Sequence, residues 1–473
     1  MALTRRQFLT RSFGAMGAAA LAFERFGLTS ALAQSADYKA LVCIFLFGGN
    51  DANNILIPYD DYATYAAVRS TPATLGIPQA SLLQINPPSL GSQFGLHPSL
   101  VGLQQLFNSQ NAAIVCNVGP LVEPTDRSAY VNGTAHLPLN LFSHADQQGE
   151  WQTAVPNAFI STGWGGRAAD KLAAPYASGT GFPIQVTMAG TTIFNTGAQE
   201  SALGLSPAPT PMNASLRLDG FSNPPDGDPR YNAMLNLLQV DDGFTLVRAA
   251  SNITGQGVQV TTLLANVGDP AVPPFPLSPR TSLGNQLEQA AKLISLRNVL
   301  GIKRQIIFCS LGGFDTHNGQ VSTTDSTTGT QAGLLAQISS AVKAFYDATV
   351  AMGVANQVVT FTLSDFSRTF VPNGNVGSDH AWGSHHFVVG GSVRGGDCYG
   401  ISGPNGTVFP TLAAAGPDDT DSGGNARGRW IPTTAVDQYA ATLAAWFGVS
   451  STDLPAVFPN IGKFGTANLG FLS

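Results

Sequence analysis

From Ser364 to His386 the chain reads Ser-Asp-Phe-Ser-Arg-Thr-Phe-Val-Pro-Asn-Gly-Asn-Val-Gly-Ser-Asp-His-Ala-Trp-Gly-Ser-His-His. Three of the seven histidines (His380, His385, His386) and two aspartates (Asp365, Asp379) fall within about one loop. Imidazole and carboxylate groups gathered after a strand are the donor set of a divalent metal site. The apolar residues 357–363 just before them read as that strand. Charged residues make up only 11% of the chain, so such a cluster is not an ordinary solvated face.

Two further strand ends present similar groups. Residues 41–47 are continuously apolar and run into Gly48-Gly49-Asn50-Asp51, and residues 304–311 run into Gly312-Gly313-Phe314-Asp315 with His317 two positions on. In an open parallel sheet, ligands sit beyond the carboxyl ends of the strands, so Asp51, Asp315, His317 and Asp365 are expected to face one crevice. Asp379, His380 and either His385 or His386 complete the ligand pool. His385 and His386 are neighbours on a predicted strand over 384–390, so they point to opposite faces and at most one binds.

Ser143-His144-Ala145-Asp146 precedes a predicted helix over 145–153. A serine at a helix N-terminus meets free N–H groups and a positive dipole, a favourable place for a phosphate or sulfate oxygen. Ser143 is thus a candidate nucleophile, although a plain N-cap serine is the commoner reading at such a place, and His144 beside it reads as a loop histidine more readily than a ligand. Arg368 and Arg167 are candidate anion clamps.

The elements that position these groups are strands without alternation, separated by helices. Strands are predicted over 41–47, 112–118, 304–311 and 357–363, and helices over 98–107, 285–300, 334–352 and 433–447. That order means an α/β fold with a mainly parallel sheet buried on both faces and sandwiched between helices. Residues 156–282 are richer in proline and shorter in helical pattern, and read as a loop-rich cap insertion within a domain spanning 34–473.

Residues 1–33 read as a leader. Thr4-Arg5-Arg6-Gln7-Phe8-Leu9 is a twin-arginine signature, followed by a weakly apolar segment and Ala31-Leu32-Ala33 as a cleavage site. Its removal takes away four arginines and one glutamate, leaving 19 basic against 28 acidic groups. The mature chain is expected in the periplasm or outside the cell, delivered by the twin-arginine export machinery. It has no basic stripe for nucleic acid and no apolar run long enough to span a bilayer. Cys43, Cys116 and Cys309 sit in apolar strand-like runs and Cys398 in a glycine-rich stretch, which allows one bridge at most and no disulfide framework.

Phe45-Leu46-Phe47-Gly48-Gly49-Asn50-Asp51, Phe142-Ser143-His144-Ala145-Asp146-Gln147, Gly163-Trp164-Gly165-Gly166-Arg167, Phe314-Asp315-Thr316-His317, Ser364-Asp365-Phe366-Ser367-Arg368-Thr369 and Gly377-Ser378-Asp379-His380 together resemble the exported bacterial "domain of unknown function 1501" proteins. That family is similar to the alkaline phosphatase and sulfatase superfamily. The resemblance implies a metal site at the carboxyl edge of the sheet. Asp51 corresponds to the first-strand metal aspartate, Asp315 and His317 to a later Asp/His pair, Asp365 to the aspartate on the next strand, and His380 or His385 to the distal histidine. Ser143 stands roughly in the nucleophile's place. Three departures stand out: only Thr316 separates Asp315 from His317, Asp365 stands where glutamate is common, and no Cys-x-Pro-x-Arg surrounds Ser143.

The resemblance therefore implies a metal-dependent hydrolase of phosphate or sulfate esters, using one or two divalent ions (Zn, Mn, Mg or Ca) and a small-molecule or polymer substrate. The alternative is a non-catalytic periplasmic or surface binding or assembly protein that retains the fold.

Overall fold

Alternation along β1 (Lys39–Phe47) divides the interior into two cores. Ala40, Val42, Ile44 and Leu46 enter one, while Leu41, Cys43 and Phe45 enter the other. Successive side chains of a strand point to opposite faces, so a strand that is apolar throughout must be covered on both. Each such buried Val, Ile, Leu or Phe contributes about 1.5–3 kcal/mol. The computed structural model describes residues 37–70, 75–216, 228–240 and 244–473; the leader predicted over 1–33 lies outside them.

The other strands of the main sheet are β2 (Ala112–Gly119), β3 (Gln185–Thr187), β4 (Leu203–Gly204), β5 (Arg304–Gly312), β6 (Val358–Ser364), β7 (Ser384–Val389), β8 (Cys398–Tyr399) and β9 (Thr434–Ala435). They lie in the order β8-β2-β7-β6-β1-β5-β3-β4, with β9 also on β2. β1 pairs in parallel with β5 and β6, and Leu46 stands opposite both Leu311 and Ser364. Their carboxyl ends therefore share one edge. β7 runs against β2 and β6, which puts its first residue, Ser384, level with Val118 near the end of β2. The loop entering β7 thus meets the loops leaving the parallel strands.

Helices cover both faces, as the sequence predicts. α1 (Val101–Asn108), α4 (Ser282–Ser295) and α5 (Thr330–Ala351) pack on one core; α2 (His144–Thr153), α3 (Trp164–Tyr176) and α6 (Val436–Phe447) pack on the other. The four cysteines are buried free thiols.

The 156–282 segment departs from the expected cap. It supplies the edge strands β3 and β4, and α3 inserts Trp164, Ala168, Ala169 and Leu172 into the core. The reason lies in its glycines: a Cβ on Gly166 would sit 2.1 Å from the carbonyl of Thr196, so only glycine lets the helix lie directly on that backbone. No described helix is long and apolar enough to cross a membrane.

Candidate metal centre at the carboxyl edge

Three imidazoles and one carboxylate meet where β5, β6 and the entry to β7 come together. His144 Nε2 lies 3.4 Å from Asp315 Oδ1, His317 Nε2 3.3 Å and His380 Nε2 3.9 Å from the same oxygen. His317 Nε2 and His380 Nε2 are 2.8 Å apart. The cluster opens to solvent, with the side chains of Asp315 52% and His317 42% exposed but those of His144 and His380 only 27% and 26%.

Backbone contacts explain the convergence. Gly48, at φ +114, turns β1 sharply, and a Cβ there would lie 2.4 Å from the amide of Asp315. Only glycine permits that approach of the two strand-end loops. Segments around Ser367–Thr369 and Asp379–Trp382 pair antiparallel: Thr369 N–H donates to Asp379 O (2.9 Å) and Ala381 N–H to Ser367 O (3.0 Å). This folds His380 back over β6, four residues before β7 begins.

Each ring has its other nitrogen occupied. His144 Nδ1 is 2.6 Å from Asp365 Oδ2, His317 Nδ1 is 3.0 Å from Asp379 Oδ1, and His380 Nδ1 is 2.7 Å from the carbonyl of Phe142. Those partners are acceptors, so each Nδ1 carries the proton and each Nε2 lone pair faces the centre. His144 Nε2 is buried without a hydrogen-bond partner. Two lone pairs facing each other at 2.8 Å, beside a carboxylate, repel unless a cation or proton lies between them. Tetrahedral ligands at about 2.0–2.1 Å from zinc stand about 3.3 Å apart, close to the contacts of His144 and His317 with Asp315. His144, Asp315 and His380 bring donor atoms within 4.8 Å of one another, a set that could hold a divalent metal, and His317 adjoins it through Asp315 and His380.

Charge around the centre is balanced by named partners. Burial opposes ionisation of Asp315, but the hydrogen bond and charge of Arg368, with His144 and His317, hold its carboxyl below the usual range. The hydrogen bond to Asp365, against burial, raises His144 above an ordinary histidine, and the charge of Asp365 adds to it. Burial lowers His380, with the nearby charges of His144 and Arg368 in the same direction. Asp379 also resists burial, and Asn373, His317 and Arg427 keep it low.

The structure sorts the sequence-based candidates. Asp315, His317 and His380 come together as expected. Asp365 and Asp379 lie behind the rings: Asp365 also accepts Gln148 Nε2 (2.8 Å) and the Gly48 amide (3.2 Å). Asp51 is spent elsewhere. Its Oδ2 pairs with the buried Arg69 and accepts Gln320 Nε2 (2.6 Å), and its Oδ1 accepts the Asn53 amide (3.1 Å).

His385 is not brought to the centre. It accepts the Asn117 amide at Nδ1 (3.1 Å) and stacks on Phe409, because β7 carries it away from the edge into the sheet. Its neighbour His386 is buried against Trp151. Arg368 is fully buried and clamps protein carbonyls, of Gly49 (2.9 Å) and Ser378 (2.9 Å) among others, besides Asp315. Arg167 ties the carbonyls of Thr162 and Val457 and so holds loops, not an anion.

Ser143 stands just before α2 but its side chain does not cap it; its hydroxyl is 2.5 Å from Asp146 Oδ2. The member of the cluster that sequence reasoning passed over is His144. Its only local signal was the step from a serine into a helix whose first turn bears an aspartate.

Residues 232–410 match the family model described as "Protein of unknown function (DUF1501)". The motifs from Phe314 to His380 fall within those residues. The DUF1501 match takes in Asp315, His317, Asp365, Asp379 and His380, while His144 lies before it. No curated protein matches the chain.

Among solved structures, the chain is similar to the crystal structure of Ps i-CgsB at 10% identity, with a TM-score of 0.34 and coverage of 89% of this chain and 77% of that one. The same protein in complex with k-i-k-neocarrahexaose gives 10%, 0.33, 89% and 76%. PsFucS1 sulfatase from Pseudoalteromonas sp. gives 8%, 0.29, 79% and 68%.

Proposed function

We propose that this chain is an exported metal-dependent hydrolase of phosphate or sulfate esters, with His144, Asp315, His317 and His380 as the metal ligands. The observation that supports it is the convergence of three Nε2 lone pairs on Asp315 Oδ1, each ring locked through Nδ1. Three imidazoles and a single carboxylate suit zinc, with manganese next, better than the all-oxygen preference of magnesium or calcium. A bound divalent ion would draw charge from the ester oxygens and from the leaving group.

The protein's own groups supply the rest. Ser143 stands next in the chain to His144, at the positive end of α2, and is the proposed nucleophile. Asp146, 2.5 Å from its hydroxyl, is placed to take its proton as it attacks. Arg368 holds Asp315 in place from behind. The substrate is a small-molecule or polymer ester reaching the open side of the centre. Export of the folded protein through the twin-arginine machinery is part of the same proposal, and a periplasmic or extracellular site follows from it.

The test is metal analysis of the purified mature chain joined to a panel of phosphate and sulfate esters. One tightly bound zinc or manganese, lost in His380→Ala and kept in His385→Ala, with ester turnover abolished by Ser143→Ala, is the expected result. Turnover surviving in Ser143→Ala moves the attack to water. A metal-bearing protein that hydrolyses no ester favours the binding protein, and a protein that holds no metal in wild type refutes the centre.

A further inference from the structure

Two arginines beside the centre have donors to spare. Arg427 and Arg429 project from a segment lying along both arms of the site loop: Val371 N–H donates to Arg427 O (3.0 Å), and Arg429 Nε donates to His380 O (3.0 Å). Arg427 Nη2 is 2.5 Å from Asp379 Oδ2, and the other oxygen of Asp379 holds His317. Arg429 Nη1 meets Asp421 Oδ1 at 3.1 Å, and its guanidinium lies over the Phe142 ring. The two guanidinium groups thus attach to the two neighbouring residues, Asp379 and His380, that carry one flank of the centre.

A guanidinium has five N–H donors in a planar fork. Arg427 Nη1 and Arg429 Nη2 make no hydrogen bond among the described residues, and the side chains stay 33% and 28% exposed. Buried structural arginines such as Arg368 spend theirs on protein carbonyls. Around the centre, Asp315, Asp365, Asp379, Asp419 and Asp421 face Arg368, Arg427 and Arg429, so a divalent ion cancels the remaining local negative charge.

We propose that Arg427 and Arg429 form a second anion subsite, so that the preferred substrate carries another phosphate, sulfate or carboxylate beside the ester held at the centre. The substrate class is a polyanionic ester and not a lone monoester. The inference rests on the metal centre proposed above: the centre anchors one anion, and the arginines take the other through the fork geometry that oxyanions match.

Calorimetry on the zinc-loaded, full mature protein tests it, with ethylene glycol bis-sulfate against ethyl sulfate and the two corresponding phosphates as probes. The wild type should bind each doubly charged ester at least tenfold more tightly than its singly charged partner. In Arg427→Gln/Arg429→Gln, measured at saturating zinc because both arginines brace residues of the centre, that gap should fall below about threefold. Arg429→Lys, which keeps the charge and a donor for His380 O, should fall between, and it serves as the readout if the double variant does not fold.

A zinc-bearing wild type that does not discriminate overturns the subsite and leaves the centre standing. So does a gap that persists in Arg427→Gln/Arg429→Gln, or in Arg429→Lys if that variant has to stand in. Absence of zinc from the wild type removes the centre, and the subsite falls with it.

Discussion

His144 Nδ1 lies 2.6 Å from Asp365 Oδ2, across a separation of 221 residues. This contact puts Asp365 behind the ring and away from the Nε2 side of the cluster. The same carboxylate oxygen accepts Gln148 Nε2, so α2 touches it twice, one turn apart. Orienting partners of this kind set ring position and tautomer, and their loss typically costs 10–100-fold in metal affinity.

Asp365→Asn should accordingly weaken zinc binding by about 10–100-fold while the protein stays folded. An asparagine oxygen in the Oδ2 position can still accept from His144 and Gln148, but its amide then meets the Gly48 N–H. A competition titration with a zinc chelator measures this. Unchanged affinity would mean that Asp365 does not orient His144.

The Asp51–Arg69 pair predicts a separation of stability from metal binding. Both side chains are fully buried. Arg69→Met leaves an uncompensated carboxylate and should cost about 3–5 kcal/mol in urea unfolding. Metal stoichiometry of the folded fraction should not change. A drop in stoichiometry would return Asp51 to the ligand set.

Asp437 gives a pH dependence away from the site. Burial in the first turn of α6 pushes its carboxyl up to about 8, against the pull of backbone amides and Arg167. Burial likewise pushes Glu150 up to about 8. Between the unfolded value near about 4 and the folded value, the native state holds a proton that the unfolded chain has released. Stability therefore falls as pH rises through that window, by at most about 1.4 kcal/mol per pH unit for each group, and levels off above it. Asp437→Asn should flatten part of this slope and raise Tm at pH 8.5 relative to pH 5. Equal slopes in both proteins would contradict it.

Export is tested by Arg5→Lys/Arg6→Lys. Lysine keeps the charge of the leader but not the paired planar forks. Uncleaved, folded precursor should remain in the cytoplasm on fractionation. Normal appearance of the mature form outside it would refute a twin-arginine route.

The sequence alone determined the long central strands and five of the described helices, because apolar runs and their spacing are local properties. β1, β5 and β6 fall within a residue or two of their predicted bounds. It also placed the chemistry at the carboxyl edge, since the aspartates follow those strands directly. Which aspartate would be a ligand was not local. Asp51 and Asp315 read alike in sequence, yet only Asp51 has Arg69 and Gln320 folded onto it.

Tertiary structure alone decided the histidines. His385 belongs to β7, whose antiparallel entry takes it into the sheet, whereas His380 is turned back by the pairing of its loop with Ser367 and Thr369. His144 joined the centre because α2 packs against the end of β6, where Asp365 meets both His144 and Gln148. No spacing in the chain encodes that contact, because it depends on how a helix from one core layer meets a strand end from the sheet.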